Sequence, residues 1–499
     1  MLDPVATSTS VDAPVRPRRA WRFVLLQRLT SGLADVVPPP DVPSWSPALV
    51  ILVAAGFALR LPWIASIPNP WGPETAAALR ALHDPHAPAA LSLGDRAFTA
   101  FLGALFAVVG PGIAAARLAV TSLLALGTLG AALLVRRRLA IVLATVLLLH
   151  PWSFVWSRTA ASPAAVSLAL AALGPLAWFR AVRTRNAVGM AVAAQITALA
   201  VHFSPFAVVP FIACAAWTAL PAQRVVLYRR EGWAALLAGA AHAGLALHFS
   251  PGLQLHAPRG AALASAFGAL SGVTTLRSFT GASAFVEALA VAATVLLVAL
   301  SVRRVASDAL GRFAALQLGA ALLLLPLMAG GERDVAGFVV VAPWAMWCAA
   351  WANTRPARAM LGALLLSLAL TAWMASHFLQ GSATELALTP DDPAGAFWGW
   401  QVPRERRAIV ELARGAALAD ARGAPAVLGW RDEVFEPMRF ELLAAPAPGL
   451  SLLDGDASPP AGTRVYRLTD GRRVLMGWRR VQHWTMTGGT PLAALWAAE

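Results

Sequence analysis

In a chain that is 58% hydrophobic and only 13% charged, few ionisable residues stand beside the long apolar runs. Each is costly there, and so each is a candidate site. The acids are Glu74, Asp84, Asp95, Glu287, Glu332 and Asp334. The accompanying bases are Arg60, Arg80, Arg96, Arg117, Arg158, Arg259, Arg277 and Arg333, with His83, His86, His202 and His256. A positioned carboxylate can take a proton from a hydroxyl. Arginine suits phosphate through paired planar contacts, and histidine can act as acid, base or phosphate ligand. The two cysteines, Cys214 and Cys348, lie inside apolar stretches and read as small buried residues; alone they make neither a disulfide framework nor a zinc site.

The elements that must position these groups are membrane spans. Apolar stretches of 17 to 23 residues recur between short basic loops, and the mean hydropathy is +0.63. All 40 basic residues are arginine and the net charge is +14. Residues 1–380 hold 27 Arg and 12 acids, a net of +15, whereas 381–499 hold 13 Arg and 14 acids, a net of −1. The excess therefore sits between the spans, where it encodes orientation and not nucleic-acid binding.

Arginine clusters at 16–28, 136–138, 180–185, 224–230, 303–312 and 355–358 mark cytoplasmic loops, so an even number of spans separates each neighbouring pair. The run 98–110 would break that parity as a span. At about 20 Å it is too short for a hydrocarbon core of about 30 Å, and it is expected to be an interfacial or re-entrant helix on the outer side. Spans are then expected near 47–67, 113–135, 139–156, 161–179, 187–203, 205–221, 232–249, 283–302, 313–329, 335–351 and 358–379. Eleven spans put the N-terminus inside and the C-terminus outside. Residues 1–46 read as a largely disordered cytoplasmic arm, 47–379 as the all-α polytopic membrane domain, and 380–499 as a small soluble α/β domain on the outer face. In that domain a helix is expected over 404–422, a strand over 425–430 and a second helix over 433–443. Strands over 463–468 and 473–481 are expected to flank the turn Asp470-Gly471.

Several local patterns resemble the GT-C membrane glycosyltransferases, in particular the bacterial branch of protein mannosyltransferases and the aminoarabinose lipid A transferase. They are Leu59-Arg60-Leu61-Pro62, Trp71-Gly72-Pro73-Glu74-Thr75, the outer helix ending at Gly110 followed by Ala116-Arg117-Leu118, Trp156-Ser157-Arg158-Thr159, and Glu332-Arg333 before Pro343. The resemblance spans roughly 48–380. The family's acidic pair is degenerate here: one carboxylate, Glu74, remains.

The resemblance implies transfer of a sugar from a polyprenyl-phosphate carrier to a lipid, glycan or protein acceptor on the outer face of the bacterial inner membrane. It implies Glu74 as catalytic base, and Arg60, Arg117, Arg158, Arg333 and His202 as substrate- or phosphate-binding groups. Glu74 reads equally as a charge at a helix N-terminus, and His202, at a tight turn before Pro205, reads also as structural. No cofactor is named by the sequence, and a divalent metal is left open. The alternative is a catalytically impaired relative that binds lipid-linked glycan or scaffolds envelope assembly. A transporter is disfavoured: there is no repeated pair of broken helices and no acid at mid-membrane.

Overall fold

The computed structural model describes residues 46–354 and 403–498, apart from 63, 65–71, 84–89, 91, 161–163, 222, 229, 250–267, 274–283, 329–336, 431–439, 441–442, 444–447, 454–458, 460, 470–473 and 486–490. The expected N-terminal arm, the eleventh span at 358–379 and most of the helix at 433–443 thus lie outside the described residues.

Helix α1 is Pro47–Ala58, opened by a proline whose missing N–H costs nothing at a first-turn position. It is shorter than the expected 47–67, ending before Leu59-Arg60-Leu61-Pro62. After α2, Gly72–Ala81, comes α3, Leu93–Val109. A helix is expected over 98–110, and this one starts five residues earlier. Its Ser92 Oγ accepts the Asp95 N–H and the Asp95 carboxylate accepts the Ser92 N–H, a capping box that fixes the start. Phe98, Leu102 and Phe106 bury one face, while Val108 and Val109 are exposed. Gly110 ends it at φ 85.

The bundle proper follows. Its helices are α4 Ile113–Leu133, α5 Arg137–Leu149, α6 Pro151–Trp156, α7 Ala164–Arg183, α8 Ala187–Phe203, α9 Val208–Ala219, α10 Arg230–His248, α11 Ala284–Val305, α12 Ala309–Met328 and α13 Phe338–Thr354. Among the described residues, three helical stretches are long and apolar enough to cross a membrane: Ile113–Leu133, Val166–Arg183 and Phe285–Val305. Five further apolar helices are shorter. The expected continuous span 139–156 is two helices, because Pro151 cannot continue the hydrogen-bond ladder.

Small residues let the helices approach closely. A Cβ on Gly127 of α4 would stand 2.3 Å from the Ala169 Cβ of α7, and one on Gly174 of α7 would stand 2.4 Å from Thr197 Oγ1 of α8. Polar side chains join other helix pairs: Trp178 Nε1 of α7 donates to Thr218 Oγ1 of α9 (2.8 Å), and Trp347 Nε1 of α13 to Ser301 Oγ of α11 (2.9 Å).

The C-terminal part packs α14, Pro403–Ala421, on a five-stranded sheet of order β2-β1-β3-β5-β4. The strands are β1 Ala426–Trp430, β2 Leu450–Leu453, β3 Arg464–Thr469, β4 Trp478–Thr485 and β5 Pro491–Ala498. β1 runs parallel to β2 and β3, while β5 is antiparallel to both β3 and β4. The expected hairpin about Asp470-Gly471 is therefore not formed: β5 lies between β3 and β4, and β4 begins at Trp478, not 473. Asp420 at the end of α14 ties the helix to the sheet. Its carboxylate accepts Tyr466 Oη (2.9 Å) and Arg479 Nη2 (2.8 Å to each oxygen). The Arg479 hydrogen bonds hold the Asp420 carboxyl below the usual range, and burial, with the Asp420 bond, pushes the Tyr466 phenol up to about 12.

Three outcomes are expected. Gly174→Val forces α7 off α8 and should cost about 1–3 kcal/mol, seen as a lowered melting temperature in detergent. Gly319→Ala, where an added Cβ meets nothing within 4 Å, should be neutral or slightly stabilising. The Asp420 contribution is whole above the unfolded carboxylate value of about 3.9 and is lost as pH falls through the lower folded value. Asp420→Asn should thus lower the C-terminal melting transition at neutral pH and leave the gap to wild type smaller in acid; a gap constant with pH would contradict the ion pair.

Candidate active site

The site grows out of the break between α5 and α6. A helix end leaves backbone carbonyls without intrahelical partners, and here Pro151 has no N–H for Leu147. Ser153 Oγ donates to the Leu147 carbonyl instead. The Trp152 N–H caps onto His150 Nδ1 (3.2 Å), so His150 donates from Nε2 to the Leu270 carbonyl (3.0 Å). The Leu148 carbonyl is met by Arg60 Nη2. The same guanidinium donates from Nε to Ser157 Oγ (2.7 Å) and from Nη1 to the Gly56 carbonyl (2.6 Å).

Arg60 is 1% exposed, so it is a buried cation at a helix C-terminus, where the helix dipole favours it. Its guanidinium carbon lies 5.1 Å from the centroid of the Phe154 ring. Arg158, also buried, lies 5.8 Å from the same ring. Arg158 Nη2 donates to the Pro62 carbonyl (2.6 Å), and Arg117 Nη1, from the first turns of α4, donates to the Ile64 carbonyl (2.8 Å). Thr121, one turn after Arg117, donates to the Ser157 carbonyl (2.7 Å). Three of the sequence-chosen arginines are thus gathered at one end of the bundle, around Phe154, Ser157 and the chain leaving α1. Close packing from distant segments shapes the same corner. A Cβ on Gly272 (φ 79) would stand 2.7 Å from Pro151, and one on Gly337 2.3 Å from Trp152.

Glu74 is the third residue of α2; its side chain lies outside the described residues. Ala77, Ala78, Leu79 and Ala81 of the same helix pack in one cluster with Ala116 and Ala160, neighbours in sequence of Arg117 and Arg158. Arg333 lies outside the described residues. His202 is bonded elsewhere. Its Nε2 is 2.8 Å from His242 Nε2, and His242 Nδ1 is 2.7 Å from Gln195 Oε1. Its carbonyl accepts Ser92 Oγ (3.3 Å) and stands 2.0 Å from where a Gly94 Cβ would be. That contact seats the start of α3 on the end of α8. Phe154, Ser157, Thr121, His150 and His242 escaped sequence reasoning. Only the His150-Pro151 helix break gave a readable signal. No group of three metal-ligating side chains occurs among the described residues.

No protein-family model and no curated protein matches the sequence. The chain is similar to the crystal structure of ArnT from Cupriavidus metallidurans bound to undecaprenyl phosphate, at 12% identity and a TM-score of 0.52, over 90% of this chain and 97% of that one. The shared fold is GT-C. At this identity the likeness speaks for fold alone. In this fold the arginine corner is built around Arg60, which two backbone carbonyls and the Ser157 hydroxyl hold on three sides.

Arg60→Leu removes donors from two buried carbonyls and a hydroxyl, and should destabilise the protein by about 3–5 kcal/mol. Thermal unfolding in detergent reads this directly. A melting temperature equal to wild type would mean that Arg60 does not hold the broken helix.

Proposed function

We propose that the protein is a membrane glycosyltransferase that moves a sugar from a polyprenyl-phosphate carrier to an acceptor. The observation that carries this reading is the convergence of Arg60, Arg117 and Arg158, three buried guanidiniums, at one corner of a GT-C fold. Three cations in a low-dielectric corner favour an anion such as a phosphate. ArnT, with the same fold, was crystallised with undecaprenyl phosphate. A polyprenyl tail stays in the bilayer, so the carrier's phosphate must be met at the membrane boundary.

In the reaction, Glu74 takes the proton of the acceptor hydroxyl as its oxygen forms a bond to the anomeric carbon. The bond from that carbon to the carrier phosphate oxygen breaks, and the phosphate keeps the electron pair. Arg117 and Arg158 hold the charge that develops on it, with Arg333 as a further cation. Arg60 positions this pair through Phe154 and Ser157. His202, with His242, holds the outer helix in register. The reading places the protein in a bacterial inner membrane with eleven spans over 47–379, a cytoplasmic arm at 1–46, and residues 380–499 on the periplasmic side. One feature favours a second reading, a binding or scaffolding relative: Trp71-Gly72-Pro73-Glu74-Thr75 keeps a single carboxylate.

The test is transfer from a labelled polyprenyl-phosphate sugar by protein in lipid. Glu74→Gln should lower kcat by about 10²–10⁴-fold. Arg158→Gln should weaken the use of donor more than that of acceptor. Equal transfer by wild type and Glu74→Gln removes Glu74 as base, and no transfer by wild type with donor still bound favours the second reading.

A further inference from the structure

Charge in the C-terminal part is segregated. Residues 464–480 carry six Arg and one acid, a net of +5, while the rest of 381–499 carries seven Arg and 13 acids, a net of −6. The basic segment leads into β4, an edge strand of the sheet. Directly before β4 the chain shows solvent an apolar tip: Val474 is 72% exposed and Met476 91%. Gly477, at φ 75, turns the tip into the strand. Beyond it, on one face of the sheet, Arg467 stacks on Trp478 (5.0 Å) and Arg480 on Trp496 (5.9 Å). Arg464 and Arg479 are engaged by Asp420 and serve the fold.

We infer that the tip Val474–Met476 is a second membrane anchor, seated in the anionic phospholipid surface of the bilayer that the chain's own helices cross. Arg467 and Arg480 lie at headgroup level and Trp478 at the interface. Apolar tips rimmed by arginine and tryptophan match the depth profile of a bilayer boundary. The C-terminal part is already held beside the outer helix: Phe440, 1% exposed, packs on Phe106 of α3 at 6.1 Å. Edge-strand arginines also discourage strand pairing. That role needs neither an apolar tip nor stacked tryptophans. The inference does not depend on the transfer reaction.

The full-length protein in nanodiscs tests it. Cys214 and Cys348 are buried, so an environment-sensitive thiol probe on Met476→Cys reports the tip, and one on Ala419→Cys reports the exposed side of α14. In discs rich in phosphatidylglycerol, iodide should quench the tip probe at least about threefold less than the α14 probe. Spin-labelled lipid should quench only the tip. Arg467→Gln with Arg480→Gln, or discs of phosphatidylcholine alone, should return the tip probe toward the α14 value. Equal iodide quenching at both sites overturns the anchor. Shielding without quenching by spin-labelled lipid also overturns it, because the tip is then covered by protein. Shielding that is the same in neutral and anionic discs overturns the choice of an anionic surface.

Discussion

The guanidinium of Arg60 is the pin on which this corner of the protein turns. Pro151 stops α5 and leaves carbonyls facing a buried interior. A membrane protein must satisfy such groups from within. Arg60 supplies one donor to Leu148, one to the end of its own helix at Gly56, and one to Ser157. By doing so it fixes α1 against the α5–α6 break. It also sets Phe154 as a platform within reach of two cations. A lysine could not replace it, since an ammonium lacks the planar fork that reaches three acceptors on three segments.

The placement of Arg117 and Arg158 follows from that pin. Both donate to the chain that leaves α1, at Ile64 and Pro62, so their positions depend on where Arg60 ends the helix. Because α2 packs beside Ala116 and Ala160, the helix that carries Glu74 is registered to the same corner. Backbone carbonyls thus take part in holding all three guanidiniums.

Much of this was legible in the sequence, and the reason is the cost of charge in lipid. Arg60, Arg117 and Arg158 stand out because every arginine near a span must be accounted for, and the separate helix α3 stands out because an apolar run of 13 residues is too short for a span. What stayed hidden depends on long-range partners. Phe154 looks like any apolar residue of a helix until two guanidiniums lie over it. The start of α3 was missed because Ser92 and Asp95 act as a pair across three residues while the apolar run draws the eye to Phe98. In the sheet, Asp470-Gly471 is a good local hairpin signal, but β5 has better claims on β3. Its Leu495 and Ala497 share the buried face with Leu468 and Tyr466, and burial outweighs turn preference.

The same logic separates the two histidines from the arginine corner. His202 ends α8 where Ser92 and Gly94 press the start of α3 against it, and His242 and Gln195 continue the polar contact across to α10. A polar chain between helices locks register in apolar surroundings, where each group has few other partners. Helix α3 is therefore held at its start by α8 and along its face by α2 and Phe440. The arginine corner is held through α1 and α5. The contacts that seat α3 are thus separate from those that pin the arginine corner, so neither set depends on the other.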